Sequence, residues 1–293
     1  MKRLIIISFA LGSILAACTS RTSELKYDLQ QWKDSTEHAQ LSVETEFPVG
    51  KKGIAPVIRK QLTDVLDEQL SHIASYEGER LFPPYAGDAD DMKALLDYYR
   101  TSALAAIGRM AQEDADEREA YMREDDELTE ERIREILADM PGWEYDCSIR
   151  KTEETDRYLV FLSQDYTYMG GAHGGLLGQG PLTFDKRDGH RIEAFFLPDA
   201  ETALQPALKK GLLEYYSGNG VEFSEEDLFD QLFLEGDVIP LPVQLPYPTA
   251  EGLVLTYQQY EIASYADGMP SFVMPYEVAV PYLTDDAKDV LGR

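Results

Sequence analysis

Residues 156–185 read DRYLVFLSQDYTYMGGAHGGLLGQGPLTFD. The first half is rich in aromatic and β-branched residues and reads as a strand, and GPLTFD at its end reads as a second one. Between them, residues 168–180 hold six glycines and one histidine. Glycine reaches backbone conformations closed to other residues and leaves room for close approach, so this segment reads as a bend where no side chain fits.

Working upstream, WEYDCSIRK (143–151) alternates apolar and polar residues like a half-buried strand, and so does LSVETEFPV (41–49). Ile54, Val57, Ile58, Leu62, Val65, Leu66 and Leu70 recur at helical spacing, which predicts an amphipathic helix starting near Pro56. A second helix fits residues 88–112, with acids at its start where the macrodipole favours them. Twelve of the residues from 113 to 135 are acidic. Their spacing lacks the glycine and terminal glutamate of an EF-hand loop, so they read as a solvated helical face. Residues 19–40 are polar without a sustained period and read as a linker.

Downstream, Asp188 and Gly189 in DKRDGH signal a tight turn. Helices fit 199–218 and 224–233, the latter with Ser224 and Asp227 arranged as a capping box. Strands fit PVQLPY (242–247), GLVLTYQQYEIA (252–263) and SFVMPY (271–276), and a closing helix fits TDDAKDVL (284–291). Helices and strands come in blocks without a strict βαβ repeat. The expected class is α+β, with mixed or antiparallel sheets, flanking helices and two closely packed subdomains.

The glycine segment lacks the Lys-Ser/Thr ending of a Walker loop and the third glycine of a dinucleotide fingerprint. His173 has no second histidine at metal-ligand spacing, and no nucleophile elbow is present, so neither a metal nor a cofactor is expected. Two readings of His173 remain. It locks the bend by bonding local backbone, or it faces a ligand from a platform formed by Gly170, Gly171 and Gly174. Tyr260, Tyr265 and Tyr276 divide the same way between core residues and rings that stack on a ligand.

The chain opens with Lys2 and Arg3, an apolar run over 4–17, and Cys18. That run is too short for a permanent span and reads as a secretory signal. Leu15-Ala16-Ala17-Cys18 resembles the bacterial lipobox, which implies cleavage before Cys18 and acylation of its sulfur. The following TSRTSE lacks an aspartate next to the cysteine and an acidic cluster, which by resemblance to envelope sorting signals implies an outer membrane, with the protein facing the periplasm. Cys147 is then the one thiol left, without a disulfide partner, and its alternating surroundings suit a core position. The formal charge of −27 becomes two units more negative on loss of Lys2 and Arg3. Such a surface repels nucleic acid and attracts cationic partners.

GGAHG (170–174), the turn with Asp185 and Gly189, YEIASYADG (260–268) and FVMPY (272–276) together resemble the extracellular domain of unknown function found in the RsiV anti-sigma factor. Residues 41–165 resemble the PdaC-type domain that often precedes it. The expected organisation is therefore a signal peptide over 1–17, a linker over 18–40 and a tail or short helix over 284–293, and between them the resemblance implies a PdaC-like domain with an acidic helical insertion over 41–165 and an RsiV-like domain over 166–283. Its RsiV member senses lysozyme by binding it, and PdaC members carry their catalysis on a separate domain. Neither the sigma-binding segment and membrane span of the first nor the catalytic domain of the second is expected from these 293 residues. The implied function is a noncatalytic, lipid-anchored envelope module that recognises a lysozyme-like cationic protein or a peptidoglycan fragment, through Gly170, Gly171, His173, Gly174, Tyr260 and Tyr265. The alternative is an envelope glycan hydrolase using His173 and an acidic residue. Ser264 stands where the family often has proline, which predicts a looser turn.

Overall fold

The computed structural model describes residues 25–73, 78–170, 174–218, 223–234 and 236–293. The signal segment, Cys18, Gly171 and His173 lie outside the described residues.

The first strand, β1 (Lys26–Ser35), pairs antiparallel with β2 (Ala39–Val49) over ten residues. It occupies the stretch expected to be linker. That expectation is corrected because an edge strand has one neighbour and few buried side chains, so its own sequence shows little apolar alternation. β2 buries every second residue from Ala39 to Phe47, as its pattern predicts.

β2 then runs parallel to β3 (Trp143–Glu154). Parallel neighbours need a long crossover. Here it is made of α1 (Ala55–Ser71), α2 (Met92–Arg123) and α3 (Glu130–Asp139), with α1 and α2 laid on one face of the sheet. Ile58, Leu62, Leu66 and Leu70 of α1, spaced four apart, are fully buried against that face. α2 buries nothing beyond Ala111, and of α3 only Ile133 is buried, so the acidic insertion is a solvated helical pair. Cys147 is buried in this core and donates its thiol to Gln69 Oε1 at 3.1 Å.

β4 (Tyr158–Tyr168) and β5 (Leu176–Asp185) complete a five-stranded sheet in the order β1-β2-β3-β4-β5. The expected subdomain boundary at 165/166 therefore falls inside a strand. Consecutive residues of β4 serve different cores: Leu159 and Phe161 face the core under α1 and α2, whereas Tyr158 and Val160 join a second one. That second core is built by α4 (Ala200–Tyr216), α5 (Glu225–Gln231) and a small antiparallel sheet of β6 (Tyr247–Pro248), β7 (Gly252–Thr256) and β8 (Ser271–Pro275). The short α6 (Tyr276–Ala279) and α7 (Asp285–Leu291) close it.

The architecture is α+β. Of the expected C-terminal strands, the first shrinks to two residues, since prolines 242 and 246 remove donors from it. The second ends at Thr256, after which the chain turns over the edge of β5.

Candidate functional site: an open groove beside the glycine bend

One face of the five-stranded sheet carries the helices. Part of the opposite face is covered by the second core and part is open, forming a groove of about 530 Å³. Strand alternation places Lys33, Ser42, Asp146, Tyr166 and Leu177 side by side across its five strands. The next row holds Gln31, Glu44, Ser148 and Gln164. Two hydrogen-bonded groups bind this face together: Gln31 and Arg150 both donate to Glu44, and Gln40 donates to Glu144 at 3.0 Å.

The β5 end of the groove is assembled from distant segments. β5 is an edge strand, and its outward amides need partners. The side chains of Gln259 and Gln258 supply them, accepting from Leu177 N at 2.6 Å and Gln179 N at 2.9 Å. This places the turn after β7 on the glycine bend. Tyr265 donates its hydroxyl to Gly175 O at 3.0 Å. A side chain on Gly174 would come within 2.3 Å of the Tyr265 oxygen, and one on Gly175 within 2.3 Å of the Tyr166 ring. A side chain at either glycine would have to displace the tyrosine that packs there. Tyr260 stacks obliquely on Tyr265, with ring centroids 5.8 Å apart, and is 54% exposed.

Tyr260 has φ +64°, a conformation that a bulky side chain rarely adopts. Its neighbours enforce it: Gln258 N donates to Glu261 Oε2 at 2.7 Å, Glu261 N to Gln258 O at 3.1 Å, and Val243 N to Glu261 Oε1 at 2.7 Å. The turn expected to be loose at Ser264 is instead fixed. Ser264 and Asp267 form a reciprocal capping box, and Gln231 donates to the Asp267 carboxylate.

Gly170 lies at the other end of the bend, with φ +77°. There Arg118 of α2 donates to Met169 O at 2.9 Å while bonding Asp114, which also accepts from the Trp143 indole at 2.9 Å. The acidic insertion thus buttresses the bend. Of the residues singled out from sequence, Gly174, Tyr260 and Tyr265 come together, Gly170 is held separately by Arg118, and Gly171 and His173 lie outside the described residues. Tyr276 is buried and donates to Thr249 O at 2.8 Å. Sequence reasoning missed the groove row itself. Its polar residues carry only the outward half of each strand's alternation, which is also how an ordinary solvated face reads.

Only one carboxyl among the described residues is raised above its ordinary range, that of Asp165. Burial raises it, against a hydrogen bond from Gln69. It shares the helix side of β4 with Ser163, which also accepts from Gln69. Asp185, Asp188 and His190 have potential ligand atoms within 4.8 Å of one another. They are already occupied: Asp185 accepts from the Arg187 amide and guanidinium, and His190 lies between Asp188 at 2.7 Å and Asp286 at 3.0 Å. This cluster clasps α7 to the turn after β5.

No helix among the described residues is long and apolar enough to cross a membrane. Comparison with curated proteins finds no match. Among solved structures, a DUF3298 family member from Bacteroides fragilis NCTC 9343 superposes with a TM-score of 0.59 at 17% identity, covering 92% of this chain and 97% of that one. A DUF3298 family protein from Pseudomonas aeruginosa PAO1 gives 0.54 at 16% identity, covering 90% and 97%. At such identities the likeness is one of fold. Residues 193–277, within the second core, match the family described as "Protein of unknown function (DUF3298)", and the likeness to structures of that family is one of fold.

Proposed function

We propose that this chain is a lipid-anchored binding module of the bacterial envelope, tethered through Cys18 at the outer membrane and facing the periplasm, that recognises peptidoglycan without cleaving it. The observation that carries this reading is the open groove, preformed by a hydrogen-bonded sheet, lined by a few polar side chains and bounded at its β5 end by Tyr166 and Leu177. Concave sites with a few placed polar groups and aromatic walls are typical ligand sites. The raised carboxyl of Asp165 lies on the helix side of the sheet, which favours binding over acid catalysis in the groove.

Cosedimentation of the protein with purified wall sacculi tests the reading. Saturable binding that falls in Tyr166→Ala is the expected result, and none at any concentration overturns it. The hydrolase alternative, with His173 and an acid, requires turnover of muropeptides that disappears in His173→Ala. A second reading, binding of a lysozyme-like cationic protein, draws on the formal charge of −27 and on the resemblance to RsiV. It predicts a complex with lysozyme at low salt that weakens as salt is raised, since screening reaches about 8–10 Å at physiological ionic strength.

A further inference from the structure

The groove's charges are unevenly satisfied. Glu44 and Glu46 are taken by Arg150, and Glu144 by Gln40. Lys33 and Asp146, in contrast, have neither a hydrogen bond nor an ion pair among the described residues. They lie on one row, separated by the Ser42 rung: Lys33 pairs in register with Ser42, and Ser42 with Asp146. Two strand spacings put their backbones roughly 10 Å apart. The row continues past Asp146 to Tyr166 and Leu177, an aromatic and an apolar surface.

From this pattern we infer that the groove takes a short zwitterionic peptide bearing a free amine and a free carboxylate, the amine on Asp146 and the carboxylate on Lys33. An extended chain advances about 3.3–3.6 Å per residue, so about three residues span the two charges. The Ser42 hydroxyl between them can meet a peptide group of the ligand, and Tyr166 with Leu177 receives the hydrocarbon of the residue that bears the amine. A neutral sugar would leave both unpaired charges unanswered, whereas a purely cationic ligand would meet Lys33 with like charge. The inference rests on the wall-binding reading and specifies which part of the wall is held: the peptide stem, whose free amine in the wall is the side-chain amine of diaminopimelate.

Calorimetric titration of the full acylated chain in detergent micelles tests it, with four probes. These are the stem tripeptide alanyl-glutamyl-diaminopimelate, its N-acetylated form, its amidated form, and chitotriose as the sugar alone. The tripeptide is expected to bind saturably. Blocking its amines or its carboxylates should each weaken binding about ten- to hundred-fold, the range for hydrogen bonds to charged groups. Asp146→Asn should remove the preference for the free amine, and Lys33→Gln the preference for the free carboxylate. Lys33 is exposed and Asp146 half-buried, and neither has a partner among the described residues, so both variants are expected to keep the fold, which circular dichroism checks. Equal affinity for the blocked and unblocked peptides, binding of chitotriose alone, or no binding of the tripeptide overturns the proposal. Sacculus cosedimentation of the same preparation separates the two failures: sacculi bound without the tripeptide leaves wall binding standing and removes only the peptide class, whereas neither bound removes both.

Discussion

The hydroxyl of Tyr265 shows how one atom ties two segments together that are ninety positions apart in sequence. It fills the volume a Gly174 side chain would need and satisfies the buried Gly175 carbonyl. A buried carbonyl left without a donor costs about 1–3 kcal/mol, so Tyr265→Phe should destabilise by about that amount in urea unfolding. Gly174→Ala should cost a similar amount by pushing the ring away. Because both changes break one contact, the double variant Gly174→Ala/Tyr265→Phe should lose clearly less than the sum of the two. Additive losses would show that the bend does not depend on this contact. Sequence alone marks both residues as candidates. It does not place them against each other, because nothing local to either specifies a partner so far away.

At the scale of elements, the clasp between the turn after β5 and α7 is a pH-dependent joint. Burial alone lowers the His190 pKa, but the hydrogen bonds and charges of Asp188 and Asp286 outweigh it, so the imidazole is held above its ordinary value. Asp188 is lowered by the His190 amide and ring, and Asp289 by the Arg187 guanidinium. A raised histidine contributes stability that is complete below its ordinary value of 6.5 and is lost as pH rises through the folded one. A lowered carboxylate contributes above the ordinary value of 3.8 and is lost as pH falls. The clasp is thus strongest between roughly pH 4 and 6.5. Thermal melts across pH 5–9 should show the melting temperature falling on the alkaline side, and His190→Gln should flatten that fall. An unchanged slope in the variant would exclude the clasp as its source. Both elements are legible from sequence, the Asp-Gly turn from its dipeptide and α7 as the closing helix that fits TDDAKDVL. Their junction is not, because it joins exposed charges that carry no periodic signal.

For the whole molecule, β4 is the shared wall between two cores, since alternate residues of one strand enter opposite sides. Loosening either side exposes the other. The protein should therefore unfold in a single transition, with Trp32 and Trp143 fluorescence and helical circular dichroism coinciding in urea. Leu159→Ala, on the α1–α2 side, should lower the midpoint of both probes together by the equivalent of about 2–5 kcal/mol. Separate transitions would mean that the DUF3298 portion, residues 193–277, is an independent folding unit.

From the sequence alone come the α+β class, most elements, the buried Cys147 and the need for a tight bend at the glycines. Each is a local consequence of spacing, side-chain shape or backbone freedom, acting within one turn or one strand. Tertiary structure alone decided that residues 26–35 form a strand, that the turn at Tyr260 seals the edge of β5, and that Lys33 and Asp146 share one open row. These outcomes depend on which chain segment supplies the missing hydrogen-bond partner and on strand register. Both are set by contacts across the whole fold, which no single stretch encodes.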